Sequence, residues 1–179
     1  MKKLSFIFSW LPIGIAVTLL SFLVYGVVQQ TIRLSANIPQ IQLAEDAAVN
    51  IVRGVSPQAV IPKDNVDMAA SLSPYMIVYD DQGNILASSV ELDGKVPVLP
   101  SGVLAQAREQ EVRVTWQPRS GVRSAAVVVR YVGDKPGFVL AGRSLREVEK
   151  LEDVILRDVF MGWAVTMVVT LVAFFLFRR

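Results

Sequence analysis

Cysteine and histidine are both absent from the 179 residues of the chain. Without cysteine the protein has no disulfide, no thiolate nucleophile and no thiolate metal ligand. Without histidine it lacks the commonest general base and the commonest transition-metal ligand. Glycine-rich phosphate loops and G-x-S-x-G nucleophile turns are missing as well, and no motif argues for serine, lysine or aspartate chemistry. We therefore expect no enzyme activity, no metal and no cofactor.

Charge is missing from two long apolar stretches, one near each end of the chain. No Asp, Glu, Lys or Arg occurs from Leu4 to Ile32 or from Val159 to Phe177. A hydrocarbon core about 30 Å thick is crossed by about 20 helical residues. The sequence predicts transmembrane helices at 4–28 and 158–177, with an extracytoplasmic domain at 29–157. A cleaved signal peptide is the alternative at the N-terminus, although its apolar core spans only about 7–15 residues.

Basic residues flank the two apolar stretches on their outer sides. By the positive-inside rule they predict two cytoplasmic stubs in a bacterial plasma (inner) membrane protein, 1–3 with Lys2 and Lys3, and 178–179 with Arg178 and Arg179. Removing these four residues leaves 14 of the 18 basic residues beside all 16 acidic ones, so the middle segment carries about −2. The sequence pI near 9.0 therefore reflects membrane orientation, and we exclude nucleic acid as a partner.

The middle segment changes from a helical to a strand-like hydrophobic period. A helical stripe after Pro39 is expected to pack on its own sheet or on a second copy of the chain; it comprises Ile41, Ala44, Ala48 and Ile51. A loop is expected over 56–67 and a short helix from Ser101, as N-cap, to Gln110. β-branched and aromatic runs between turn residues predict five strands, at 75–79, 84–88, 111–117, 122–131 and 137–142. The expected fold is α+β with an antiparallel sheet.

The last strand leads into the second apolar stretch. Residues 144–147, Ser-Leu-Arg-Glu, form a capping-box pattern, and no proline follows Pro136. Val148, Leu151 and Ile155 continue an apolar stripe toward the membrane. We predict one continuous helix from about Leu145 to Phe177.

The segment from Ile77 to Leu86, IVYDDQGNIL, combines an apolar strand, Asp, a turn glycine and a second apolar strand. This hairpin, bracketed by two apolar spans, resembles the PAS-like extracytoplasmic sensor domains, called Cache or PDC domains, of bacterial sensor kinases and chemoreceptors. The resemblance covers about residues 27–177. It implies a five-stranded sheet with a small-molecule pocket on one face, often dimeric through the N-terminal helices.

Those sensor proteins continue into a cytoplasmic signalling region, whereas this chain ends at Arg179. We expect the output of a sensor to pass to a separate membrane signalling partner or through a homodimer. The alternative is a structural or accessory envelope protein whose PAS-like domain docks other membrane proteins.

One strand face suggests a ligand site. If residues 118–121 form a four-residue turn, Trp116 lies opposite Arg123, and Tyr131 lies near Phe138 on the same face. Arginine would bind the carboxylate of a small organic anion and the aromatic rings its body. The predicted ligand-binding residues are Trp116, Arg123, Tyr131 and Phe138. A Trp–Arg cation–π pair over an ordinary core is the alternative.

Small residues recur every four positions within both apolar stretches. They are Gly14 and Thr18 in the first stretch, and Gly162, Thr166 and Thr170 in the second. Small residues at this spacing allow helices to approach closely, so these five are the predicted transmembrane packing seam.

Overall fold

The computed structural model of the protein describes residues 2–177, with side chains from Trp10 onward. The terminal basic residues on which the predicted orientation and the two stubs rest (Lys2, Lys3, Arg178 and Arg179) lie outside these described side chains. The elements in chain order are α1 (Lys2–Ser35), α2 (Ile38–Val52), α3 (Pro57–Val60), β1 (Val66–Asp67), β2 (Tyr75–Asp80), β3 (Ile85–Ser88), β4 (Val90–Glu91), α4 (Val103–Ala107), β5 (Val112–Arg119), β6 (Val122–Tyr131), β7 (Gly137–Ser144) and α5 (Arg146–Phe177).

The chain divides into two compact units, and the first consists of two apolar helical segments, Met1–Arg33 and Glu149–Arg179. The helices that carry them are long and apolar enough to cross a membrane, with mean hydropathies of 2.2 and 2.3 over their most apolar windows. Within this unit Arg33 Nε donates to a Glu152 carboxylate oxygen at 2.7 Å. The Trp163 indole N–H donates to the Thr18 hydroxyl at 3.0 Å. Polar contacts between side chains thus join the pair of helical segments.

The second unit, Leu34–Val148, is built on a five-stranded sheet. Its strand order is β3-β2-β7-β6-β5, and every neighbouring pair is antiparallel. The middle strand β7 is apolar from Phe138 to Ala141 and buried there, because both of its faces are covered. The edge strand β5 alternates, with Arg113, Thr115 and Gln117 exposed. The predicted α+β fold with five antiparallel strands is confirmed.

One face of the sheet is covered by α2, which packs on β6 and β7. Its buried stripe contains three alanines, Ala44, Ala47 and Ala48, whose small side chains bring the helix close to the sheet. They form a core, here called the α2 core, with Met76, Val78, Ala87, Tyr131, Val139 and Ala141. Of the two alternatives for this stripe, the structure selects packing on the protein's own sheet.

The opposite face of the sheet is covered by the segments that flank β2 and β3. There β1 pairs with β4 in parallel, with Val66 opposite Val90, and α4 follows in the connection to β5. Here the α4 core forms, which contains Val66, Met68, Tyr75, Ile77, Tyr79, Val90, Val103, Ala107, Val112, Trp116, Val122, Ala126, Val128, Phe138 and Leu140. Large buried side chains, among them Tyr75, Trp116 and Phe138, therefore fill this face of the sheet.

Two local expectations are wrong. The expected loop over 56–67 contains the short helix α3 and strand β1. Strand β1 forms by pairing with β4, which is distant in the chain, so no local sequence pattern predicts it. The helix expected over 101–110 covers only Val103–Ala107, with Gly102 rather than Ser101 at its N-cap. Gly102 has φ of 88°, a left-handed conformation that glycine adopts without strain, so the helix begins after it.

The last helix agrees with the prediction. It runs from Arg146 to Phe177 as one element, and the Ser144 hydroxyl accepts the Arg146 N–H at 3.3 Å. This bond satisfies one of the backbone donors left open at the start of a helix.

Candidate functional site

The register between β5 and β6 differs by one residue from the expected register. Arg119 pairs with Val122 around a two-residue turn, and Pro118 belongs to β5, where an irregularity lies between Trp116 and Arg119. Trp116 therefore pairs with Ser124 and not with Arg123. The expectation fails because a bulge adds a residue to one strand, and a shift by one turns each side chain to the other face of the sheet.

The predicted ligand residues do not share one face. Trp116 and Phe138 are both buried in the α4 core, whereas Tyr131 is buried in the α2 core. Arg123 is exposed and directly precedes Ser124, the residue that pairs with Trp116. Because successive side chains of a strand point to opposite faces, the Arg123 side chain lies on the face opposite to Trp116. The structure brings two of the four residues together, and ligand binding by any of them stays a prediction.

The turn between β2 and β3 is held by its own side chains. Asp80 accepts hydrogen bonds from the Asn84 backbone N–H and the Asn84 side-chain amide, both at 2.8 Å. The side-chain bond from Asn84 is the main reason that the pKa of the Asp80 carboxyl lies below its usual range, and backbone N–H groups of the turn add to it. Asp80 therefore stabilises the hairpin, in agreement with the turn-forming residues that follow it in the sequence.

The neighbouring Asp81 accepts hydrogen bonds from two arginines that lie far from it in the chain. Arg108, which follows α4, donates to a carboxylate oxygen of Asp81 at 3.2 Å and to its backbone carbonyl at 2.5 Å. Arg130 of β6 donates to the other carboxylate oxygen at 3.4 Å. The guanidinium of Arg108 also lies 5.7 Å from the centre of the Phe138 ring. We call these four residues the Asp81 cluster.

The Asp81 cluster has more hydrogen-bond donors than its single carboxylate uses. Two guanidinium groups carry ten N–H donors, and the buried Arg130 Nε has no hydrogen-bond partner among the described residues. The side chains of Arg108, Arg130 and Asp81 are 44%, 32% and 27% exposed, so solutes can reach them. A carboxylate is the kind of group that such forked donors bind.

Between residues 2 and 177, no three His, Cys, Asp or Glu side chains form a group that could hold a metal ion. At the Asp81 cluster, two guanidinium groups present planar forked donors of the kind that suit carboxylate and phosphate groups.

Sequence reasoning missed Arg108 and Arg130. Arg108 follows a short helix on the surface, and Arg130 stands in β6 beside the predicted ligand residue Tyr131. Their separations from Asp81, 27 and 49 residues, follow no motif. Only the pairing of Arg130 with Phe138, which the correct register of β6 and β7 would have given, offered a signal.

Two open grooves lie elsewhere in the second unit. The first, of about 420 Å³, is polar and lies beside β4, lined among others by Lys63, Asn65, Glu91 and Lys95. The second, of about 490 Å³, lies between the C-terminal half of α2 and the end of β6 and is lined largely by valines, among them Val49, Val52 and Val132. The second groove is also lined by Arg53 and by Arg130 of the Asp81 cluster.

The predicted packing seam separates into two sets of residues. Gly14 is buried beside Trp10 and Met167, and Thr18 accepts the Trp163 indole N–H, so both lie where the two helical segments meet. Gly162 has no described atom within 4 Å of the position of an added Cβ. The hydroxyls of Thr166 and Thr170 donate to carbonyls of their own helix, those of Gly162 and Met167. Helix packing at Gly162, Thr166 and Thr170 stays a prediction.

No known protein family matches this chain, and no curated protein or solved structure is detectably similar to it.

Proposed function

We propose that the protein is a membrane-anchored extracytoplasmic sensor-like protein that binds a small organic anion at the Asp81 cluster. The observation that carries the proposal is the convergence of Arg108 and Arg130 on one carboxylate beside Phe138. Both arginine side chains are partly exposed, so a ligand carboxylate can accept hydrogen bonds from N–H groups that Asp81 does not use. Two guanidiniums against one aspartate also leave a local positive charge for the ligand to neutralise.

The membrane part of the proposal rests on the two apolar helices. Both are long enough to span a bilayer, and the basic residues outside them favour a two-pass protein with cytoplasmic termini. The resemblance of the 77–86 hairpin to Cache domains and the five-stranded antiparallel sheet both support a sensor role. The signal then passes through the second span to a homodimer partner or to a separate membrane signalling protein.

A thermal-shift titration of the full chain in detergent with succinate and citrate as carboxylate probes tests the anion site. We expect the probes to raise the unfolding temperature of the wild-type chain, because a ligand that binds only the folded state stabilises it. Arg130→Gln and Arg108→Gln keep much of the side-chain length and remove the charge, and each should lower probe affinity about tenfold or more.

Arg113→Gln is the matched control for these variants. Arg113 lies on the exposed face of β5 and pairs with Glu111 at 2.6 Å, outside the Asp81 cluster. Arg123→Gln tests the site expected from the sequence. If only the Arg123 variant loses probe binding, the site lies at Arg123. If the probes raise the unfolding temperature of the Arg108 and Arg130 variants as much as that of the wild type, the Asp81 cluster is not the site.

A docking role is the second candidate, and the apolar groove of α2 and β6 favours it. Val49, Val52 and Val132 are exposed there beside Tyr131. Contiguous exposed apolar side chains at this position suit contact with another envelope protein. A Val49→Lys and Val52→Lys double variant should abolish recovery of a membrane partner by cross-linking in whole cells while leaving the carboxylate shift intact. Unchanged recovery of the partner from the double variant rejects docking at this groove.

A further inference from the structure

Two arginines lie at the junction between the last strand and the last helix. Arg143, near the end of β7, donates through Nε to the Leu72 carbonyl at 3.1 Å. Arg146, the first residue of α5, donates through a terminal nitrogen to the Ala70 carbonyl at 2.8 Å. Both bonds end on the backbone of a single loop, residues 69–73, which connects β1 to β2. The loop is thus fastened to the start of the helix by two charge-assisted hydrogen bonds.

The loop has a defined shape of its own. The Asp67 carboxylate accepts the Ala69 N–H, and the Asp67 carbonyl accepts the Ser71 N–H, each at 2.8 Å. The Ser71 hydroxyl accepts the Ser73 N–H at 3.1 Å. Asp67 also belongs to β1 and pairs with Glu91 of β4. The carbonyls that Arg143 and Arg146 contact are therefore positioned by the β1–β4 pair.

The other bonds at the junction come from the sheet. The Leu145 N–H donates to the Arg123 carbonyl at 2.9 Å, and Ser144 pairs with Ser124 across β6 and β7. Strand β6 is buried through the middle of the sheet and cannot move without disrupting the core. Loop 69–73 lies at the surface, and the bonds from Arg143 and Arg146 join it to the junction, so it is the part that can release.

We propose that loop 69–73 is a latch through which the β1–β4 segment controls the start of α5. With the arginine bonds made, the start of α5 is held in its helical conformation beside the loop. When the loop shifts, the bonds to Leu72 and Ala70 break and the first turns open more often. The latch adds a structural step to the proposed passage of a signal to the second span. It is tested without any ligand, so its failure is distinguishable from failure of the anion site.

Amide hydrogen exchange of the full chain in lipid nanodiscs tests the latch by a double-mutant cycle. Asp67→Ala loosens the loop, and Arg143→Gln with Arg146→Gln removes the two bonds. The readout is the exchange rate at residues 150–153 of α5. Each change alone should raise that rate about fivefold, the size expected for exposed charge-assisted hydrogen bonds. In the arginine double variant, Asp67→Ala should add no further increase, because residues that act through one contact are not additive.

Arg113→Gln is the control background, in which Asp67→Ala should keep its full effect. Exchange at residues 138–141 of β7 checks that the sheet remains folded. If Asp67→Ala disturbs those amides, Ser71→Ala replaces it, since it removes only the acceptor of the Ser73 N–H. Equal effects of the loop change with and without the two arginines overturn the latch, as does an unchanged exchange rate in the arginine double variant.

Discussion

The phenolic hydroxyl of Tyr131 donates to the backbone carbonyl of Tyr79, 3.1 Å away. Tyr131 ends β6 and Tyr79 lies in β2, and β7 runs between these two strands. The side chain crosses β7 at Gly137, which pairs with Tyr131. Tyr131 is therefore bonded inside the domain and fixes the end of β2.

This bond bears on the Asp81 cluster. Asp81 follows β2 directly, two residues after Tyr79, so the bond from Tyr131 holds the strand from which Asp81 projects. Burial raises the pKa of Tyr131 above its usual value, so its hydroxyl remains protonated and able to donate at neutral and mildly alkaline pH. A residue expected to touch the ligand thus positions the turn that carries the cluster.

Gly137→Ala should destabilise the second unit by about 2 kcal/mol, in the range measured for overpacked cores. An added Cβ at Gly137 would collide with the Tyr79 carbonyl and the Tyr131 hydroxyl. Gly133→Ala is the control, because its Cβ would meet only Val52, at 3.9 Å. Urea unfolding of both variants in detergent measures the difference. Equal stability of the two variants would show that the tyrosine contact tolerates a methyl group.

Alkaline pH should weaken the fold through Tyr75 and Tyr79. Burial raises the pKa of both phenols above the usual value of 10.0, and the Tyr75 hydroxyl is also bonded to Ser124 at 2.7 Å. The folded state keeps them neutral, while the unfolded chain loses their protons above pH 10. Stability contributed by these groups is therefore complete below about pH 10 and falls above it, by about 1.4 kcal/mol per pH unit for each tyrosine.

Urea midpoints measured from pH 8 to above pH 10 test this expectation. Tyr75→Phe removes one titrating phenol, so the decline above pH 10 should become shallower by the share of one group. A decline of unchanged slope in the variant means that Tyr75 ionises within the folded protein.

Substitution of Gly14 and of Gly162 by leucine should have opposite outcomes. An added Cβ at Gly14 lies 3.3 Å from the Trp10 ring and 3.4 Å from Met167, so leucine there should separate the two helical segments. Gly162 is open within the described chain, so leucine there should leave the pair intact. Disulfide formation in membranes between one cysteine introduced on α1 and one on α5 measures the pairing. The chain has no native cysteine that could form a competing disulfide.

The Gly162→Leu variant also tests the predicted seam. In a membrane self-association reporter, reduced signal with intact helix pairing identifies an intermolecular contact at Gly162 and Thr166. Unchanged self-association removes those two residues from any interface between copies.

Lys135→Cys should react with a membrane-impermeant maleimide in intact spheroplasts. Lys135 is exposed in the turn between β6 and β7, within the predicted extracytoplasmic domain. Lys3→Cys is the control and should react only after lysis, because the predicted stub is cytoplasmic. Protection of the Lys135→Cys variant from the reagent until lysis contradicts the proposed topology.

Much of the architecture follows from local properties of the sequence. The two apolar helices are predictable because a long uncharged run leaves helix as the structure that satisfies its backbone in an apolar environment. The β2–β3 hairpin is predictable because Asp80, Gly83 and Asn84 satisfy the turn among themselves. The five strands follow from β-branched runs between turn residues, and the long last helix from its cap and its lack of proline.

The site was decided only by the tertiary structure. One extra residue near Pro118 shifts the β5–β6 register and places Trp116 on the face opposite to Arg123, which no local preference of the strand specifies. Arg108 and Arg130 reach Asp81 because the sheet order and the connection through α4 bring together residues far apart in the chain. Contacts between side chains so far apart in the chain depend on packing of the whole sheet, so short-range sequence patterns do not predict them.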